Sequence, residues 1–445
     1  MQPFTLLNAT RQYLFFYKQF QLVILLKWLQ ISGSLFPLSN RVRLSFRVFK
    51  VIKNIPYILL LILIVTCWGI GFRPGGDLNV YYQASIWLQK GWVTRLYFDN
   101  AEIGNFFYGP FGLSLLKPLS LLSFSAANIL WLFLQTGSYV IFWFFIFKIF
   151  PEILVPKNIK LFLLVWIVSI KPIHASFQSH NVQLMFAAIL VAAEWGSRSK
   201  VKTTQVISGV LISLCASIKI YPAFIAIYYL LRRPSTVKAG LILGGLISLV
   251  VPLFVFGFTD GFSLPAQFVQ NALHYNRVYD LAKDTVSLSL PSLLTTWLPS
   301  YWISYGAVIF ITGTSSLLFF IWAFLTRHED ELLNERHFWA FLWSMMALLN
   351  STTRPDYFIY FLPAFASLGV LIQTQPKKIV YRYGILVSVL LISFITEWVL
   401  GSRDLTHYLE GLRIPVLGIM TLCLMQFMAL RTVSKVPKDV RQIGN

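Results

Sequence analysis

The sequence is short of charge. Only 12% of its 445 residues are Asp, Glu, Lys or Arg, against about 25% in an ordinary soluble domain. So few charged groups cannot clothe a water-facing surface, which excludes a soluble globular fold and implies a lipid environment. Acids are scarcer than bases, 17 against 37. That excess suggests nucleic acid at first sight, but the bases stand in short loops between apolar runs, the positive-inside arrangement of a multispan protein. No nucleic-acid partner is expected. Cysteine is nearly missing: Cys67, Cys215 and Cys423 all fall inside apolar runs, where they read as packing residues and imply no disulfide. There is no Walker loop, dinucleotide fingerprint, His/Cys metal spacing or Ser-His-Asp pattern. A nucleotide-driven pump is therefore disfavoured and no cofactor is expected; nothing demands a metal, though the outer acids could hold one. No cleavable signal peptide is evident either, because Arg11, Lys18 and Lys27 interrupt the N-terminal apolar stretches and no small-residue cleavage site follows.

What the chain does have is apolar bulk, with 57% hydrophobic residues and an aromatic share of 16% that suits interface belts. A spanning helix needs about 20 apolar residues, about 17 at the short end. Runs of that kind fall at 55–72, 127–149, 159–173, 180–195, 205–218, 221–232, 237–257, 301–325, 337–351, 357–373, 380–399 and 411–430, with a further span open near 13–31. The expected fold is all-α, a polytopic bundle of about 11–13 transmembrane helices. The pair 205–218 and 221–232 is short, so irregular backbone between them must be covered by protein or by a water-filled cavity. Residues 1–54 read as a cytoplasmic or interfacial segment, 55–430 as the membrane-embedded domain, and 431–445 as a basic cytoplasmic tail.

With both termini cytoplasmic, most of the 37 Lys and Arg lie inside, in clusters such as Arg41-Arg43-Arg47 and Arg198-Lys200-Lys202. The acids sort outward, among them Asp77, Asp99, Glu102, Asp260, Asp280, Asp284, Asp356, Asp404 and Glu410. Two long outer loops result, about 73–126 and 258–300, and long loops are where function gathers. The expected location is the plasma (inner) membrane with the active site outside. The first loop holds two stretches too short to span, Leu78 to Lys90 and Tyr108 to Pro118. They read as interfacial helices with Trp87, Trp92, Phe106, Phe107 and Tyr108 at headgroup level.

Asp77 stands within a few residues of the bilayer boundary. It is open to two compatible readings: an N-cap for the helix behind it, or a general base for an acceptor hydroxyl. The second loop carries His274, Tyr275, Asn276, Arg277, Asp280, Lys283 and Asp284. They read as a solvated helix of mixed charge, or as a wall of a pocket. His180, Asn181 and Gln183 lead into an apolar run, where polar groups face a cavity or a neighbouring helix. Lys219 lies alone between two apolar runs and requires an anion, a snorkelling route or a cavity. Arg354, beside Asp356, has the planar fork that suits phosphate. Lys219 and Arg354 are the candidates for a phosphate leaving group.

Three segments carry a resemblance. Asp77-Leu78-Asn79-Val80-Tyr81-Tyr82 is followed by Gly91, Leu96-Tyr97 and Phe107-Tyr108-Gly109-Pro110. Ser208-Gly209-Val210-Leu211 leads to Ile218-Lys219-Ile220-Tyr221-Pro222 and Arg232-Arg233. A polar turn at 351–357 precedes an apolar span that reaches Pro363. Together they resemble glycosyltransferase family 87, the polyprenyl-phosphate-mannose-dependent enzymes of GT-C architecture, over most of residues 55–375. Two elements depart from that family: His180-Asn181-Val182-Gln183 stands where it commonly has Gly-Gln-x-Asn, and Thr353-Arg354-Pro355-Asp356-Tyr357 where it often carries Trp and paired His.

The resemblance implies inverting transfer of a hexose such as mannose, or of a pentose, from a polyprenyl-phosphate donor to a lipid or glycan acceptor. Asp77 would be the catalytic base. Lys219, Arg354, Tyr81, Tyr108, His180, Asn181, Gln183 and Asp356 would line the substrate site, and membrane lipids are the expected surroundings. A flippase for lipid-linked sugars and a non-catalytic partner in envelope assembly are the alternatives. The flippase would favour internal repeats and a midplane site, and neither is visible.

Overall fold

The structure is a computed structural model. It describes residues 46–72, 75–93, 95–98, 108–278, 287–298, 332–350, 353–374 and 379–433, with the single positions 308, 314 and 318. Several sequence expectations lie outside the described residues: the stretch near 13–31, the span 301–325 apart from positions 308, 314 and 318, Phe106 and Phe107, Asp280, Lys283 and Asp284, and the tail from 434. The side chains of His274, Tyr275, Asn276 and Arg277 do so too.

The protein is an all-α polytopic membrane protein. Its main helices are α1 (Phe46–Gly71), α2 (Asp77–Gln89), α3 (Pro110–Leu116), α4 (Phe124–Ile149), α5 (Ile159–Ser179), α6 (Gln183–Ser197), α7 (Lys202–Ile218), α8 (Ala223–Arg232), α9 (Ser235–Phe256) and α10 (Phe258–Val278). They continue with α11 (Leu290–Trp297), α12 (Leu332–Leu349), a 3-10 turn Pro355–Phe361 running into α13 (Leu362–Thr374), then α14 (Ile379–Ser393), α15 (Arg403–Gly411) and α16 (Ile414–Val433). Among the described residues, five helices are long and apolar enough to cross a membrane, or six if the pair α15–α16, bent by 56°, is one span. Helices α6, α7, α8 and α14 are apolar but shorter. The expected bundle of about 11–13 spans therefore appears as a smaller set of full-length helices plus these short ones.

Burial separates the bundle into inner and lipid-facing members. The window Pro355–Gln373 is 89% buried inside the protein, whereas Ser235–Phe256 is only 22% buried. The first is thus wrapped by neighbours, and the second offers Ile242, Leu246, Leu249 and Phe254 to its surroundings. Helix α5 packs on α1 and on the 355–361 turn, α4 on α6, α6 on α7, and α7 on α9. The α7–α9 contact is drawn close by glycines. A Cβ on Gly209 would sit 2.1 Å from the Val237 carbonyl oxygen, and one on Gly240 2.1 Å from that of Val206. Small residues at such a crossing let two apolar helices approach, which is how helices associate in lipid.

The two ends of the bundle hold different chemistry. At one end Glu194, fully buried on α6, pairs with Arg198 one turn on and with Arg233 at 2.6 Å, and accepts from Tyr229; Arg233 also bonds Glu335 of α12. This network clamps α6, α8 and α12 together. The other end of α6, about 20 Å away for a helix of this length, begins at Gln183 and meets the 355–361 turn.

Candidate active site

Helix α2 forms because its apolar positions repeat at helical spacing. Leu78, Tyr81, Ala84, Ser85, Trp87 and Leu88 are buried, while Asn79 and Gln83 are exposed. At 13 residues it is too short to cross a bilayer. Its start is fixed by Gly76, which has φ 59°. A side chain there is doubly excluded, since a Cβ would also lie 2.3 Å from the Ser179 carbonyl oxygen. The beginning of α2 is thereby held against the end of α5.

Asp77 is the first residue of α2, with Gly76 in the N-cap position. This corrects the capping reading of Asp77: among the described residues its carboxylate takes no capping bond. Oδ2 accepts instead from the Tyr81 hydroxyl, one turn on, at 3.3 Å. The side chain is half-buried and keeps Oδ1 available. The helix N-terminus behind it favours negative charge at that spot.

A second docking brings the partner groups. Gly109 donates its N–H to the Ile218 carbonyl at 2.8 Å, and a Cβ on it would lie 2.1 Å from the Ser217 carbonyl oxygen. The turn before α3 is thus pressed onto the break between α7 and α8. As a result Lys219 places its ammonium 4.7 Å from the centre of the Tyr108 ring and 5.7 Å from that of Tyr357. It also lies 3.4 Å from the Tyr357 hydroxyl. The Tyr108 hydroxyl is 2.5 Å from that of Tyr81. A continuous polar line therefore runs Asp77, Tyr81, Tyr108, Lys219, Tyr357. Burial, with the neighbouring hydroxyl and carboxylate, holds the Tyr81 phenol well above its ordinary value, and burial pushes that of Tyr108 up to about 12. Both stay protonated at neutral pH.

The third strand of the site comes from the 179–183 turn and the 355–361 turn. Asn181 donates through Nδ2 to Ser179 Oγ at 2.7 Å and to Asp356 Oδ2 at 2.5 Å, and its Oδ1 receives the Gln183 N–H at 3.0 Å. Asp356 is buried, and Asp77, Arg354 and Lys219 are the charged groups within electrostatic reach of it. Gln183 turns away to a tyrosine pair. Its Oε1 accepts from Tyr221 and, at 3.0 Å, from Tyr360. His180, left-handed at φ 53°, places Nε2 2.8 Å from the Gly71 carbonyl oxygen, and so ties the end of α5 to the end of α1.

Asp77, Tyr81, Tyr108, Lys219, Asn181 and Asp356 thus converge, with Arg354 exposed at the rim. Gln183 and His180 support this group from behind. Two interface expectations are corrected: Trp87 and Tyr108 are only 7% exposed and belong to the packed interior, because α2 and α3 dock on α4, α7 and α9. Sequence reasoning missed Tyr357, Tyr221, Tyr360 and Gln135. The cluster Tyr357-Phe358-Ile359-Tyr360-Phe361 read as apolar span, and only the turn at Pro355 signals that its hydroxyls face a site. Among the described residues no group of three or more His, Cys, Asp or Glu stands at metal-binding spacing.

A buried carboxylate, a cation and a hydroxyl network thus stand together at one end of a helical membrane bundle. The family model for glycosyltransferase family 87 matches residues 106–352, more than half of the chain, and the protein belongs to that family. The matched range contains Tyr108, His180, Asn181, Gln183 and Lys219, while Asp77, Tyr81, Arg354 and Asp356 lie outside it. No match to the chain was found among curated proteins or among solved structures.

Proposed function

We propose that this membrane glycosyltransferase moves a hexose such as mannose, or a pentose, from a polyprenyl-phosphate donor to a hydroxyl of a lipid or glycan acceptor. The reaction takes place at the outer face of the plasma membrane. The acceptor O–H gives its proton to Asp77 as its oxygen attacks the anomeric carbon. The bond from that carbon to the phosphate oxygen breaks, and the phosphate leaves with the electron pair. Attack and departure on opposite faces invert the anomeric centre. Lys219 and Arg354 offset the charge developing on the phosphate. Tyr81 holds one carboxylate oxygen, so that the other is aimed at the acceptor. Asn181 holds Asp356, which steers the Lys219 ammonium.

The observation that carries this reading is the Asp77–Tyr81–Tyr108–Lys219 line, which sets a proton acceptor and a cation at its two ends. The outward location rests on the charge pattern of the loops. The test is purified protein in proteoliposomes supplied with polyprenyl-phosphate mannose and a hydroxylated acceptor. The reading expects a new glycosidic product and free polyprenyl phosphate in equal amounts. Donor carried across the bilayer with no product would instead support a flippase, and neither outcome would support a non-catalytic partner.

A further inference from the structure

Helix α4 carries a buried polar face that the reading above does not use. Asn128, Trp131 and Gln135 follow one another at intervals of three and four residues, so they share one side of the helix. They are 5%, 4% and 0% exposed. Each retains a buried polar atom without a hydrogen-bond partner: Asn128 Oδ1, Trp131 Nε1 and Gln135 Oε1. Ser176 Oγ on α5 is in the same condition. Native interiors leave few such atoms unsatisfied, and in a lipid-surrounded bundle each one is costly.

This face adjoins the site on two sides. The Trp131 ring lies 5.0 Å from that of Tyr81, whose hydroxyl bonds Asp77. Gln135 donates through Nε2 to the Ser176 carbonyl at 2.7 Å and to the Asn181 carbonyl at 3.2 Å, and Asn181 in turn bonds Asp356. The four orphaned atoms comprise two acceptors, one donor and one hydroxyl. A phosphate offers acceptors only and would leave Asn128 and Gln135 repelled. A hydrocarbon tail offers nothing. A ring of neighbouring hydroxyls both donates and accepts, and matches all four.

We propose that Asn128, Trp131, Gln135 and Ser176 read the hydroxyls of the donor's sugar ring, opposite the Lys219 side where its phosphate sits. The inference rests on the transferase reading and adds to it the groups that set sugar specificity.

The experiment compares polyprenyl-phosphate mannose with its singly deoxygenated analogues, using wild-type protein and the variants N128L, W131F and Q135L. With wild-type protein at least one deoxy donor is expected to lose about 10-fold or more in kcat/KM, because a buried partner is left unpaired. In the variant that removes the matching group, that penalty should vanish while transfer from the parent donor falls to the level of the deoxy donor. A merely structural or water-filled role would lower transfer from parent and deoxy donors by the same factor, and that result overturns the inference. A wild-type protein that shows no penalty for any deoxy donor overturns it without recourse to a variant. If wild-type protein transfers no sugar from the parent donor, the transferase reading itself fails, and this inference with it.

Discussion

Asn181 and Asp356 stand 175 residues apart in the chain, yet the Asn181 amide donates to the Asp356 carboxylate at 2.5 Å. That one bond joins the turn between α5 and α6 to the turn that opens α13. It also supplies a donor to a carboxylate taken out of water. In the variant Asn181→Leu the carboxyl group stays buried and loses that donor, which costs about 1–3 kcal/mol for a buried polar group left without its partner. We expect a lower melting temperature in detergent together with a fall in transfer of 10-fold or more. Asn181→Asp should do worse than Asn181→Leu, because it sets two carboxylates against each other. Thermal unfolding and initial rates on the same preparations check both orders.

Lys219 is held by aromatic faces and a hydroxyl, with the Asp77 and Asp356 carboxylates also in electrostatic reach. Replacing it with Met keeps the stem and removes the charge. The expected loss in kcat is about 10²–10³-fold, the usual effect of deleting a group that stabilises developing negative charge. Lys219→Arg should recover part of that loss. Donor binding, measured separately, should weaken less than kcat falls; a loss confined to binding would contradict the leaving-group role.

Tyr81 can be tested without disturbing the packing. Tyr81→Phe keeps the ring that lies 5.2 Å from Tyr108 and 5.0 Å from Trp131, and removes only the hydroxyl shared by Asp77 and Tyr108. Stability should change little. Transfer should fall about 10-fold, or ~1.4 kcal/mol of barrier, because the carboxylate loses its orienting partner. Unchanged transfer would mean that Tyr81 is packing alone.

The opposite end of the bundle gives a contrasting case. Glu194 faces Arg198 and Arg233, and its removal takes the carboxylate from Arg198 and leaves the buried Arg233 guanidinium with Glu335 alone. Breaking a buried pair in this way costs about 3–5 kcal/mol. Glu194→Gln should therefore lower the melting temperature and the yield of folded protein, while the molecules that remain folded keep their kcat. A selective loss of kcat with normal stability would place Glu194 in the chemistry.

Long apolar runs made most of the helices legible in the sequence. The end of α5 was not. The apolar pattern suggests a stop at 173, beside Pro172, but the helix continues to Ser179. Proline inside a membrane helix is tolerated where its surroundings or a local adjustment of the backbone make up for the bond it removes. In the site, Asp77 and Lys219 stood out as lone charges beside apolar sequence. Tyr221, Tyr357 and Tyr360 did not, because in a chain with 20 Tyr and 39 Phe their positions resemble any other aromatic packing. The polar face of α4 was equally hidden. Asn128 and Gln135 are scattered polar residues in a mostly apolar helix, and only the three-dimensional neighbours of Trp131 show what they adjoin. The role of Gly76 shows in neither composition nor periodicity, since it depends on how close Ser179 comes.

Asp77→Asn is the most direct measurement of the whole account. The substitution is isosteric and keeps an acceptor for Tyr81, while it removes the negative charge and with it the capacity to take a proton. Purified variant and wild-type protein in the same proteoliposomes, given the same polyprenyl-phosphate sugar and acceptor, should differ by about 10²–10⁴-fold in kcat, with donor binding and melting temperature nearly equal. A variant that transfers sugar at the wild-type rate would contradict the assignment of Asp77 as the base.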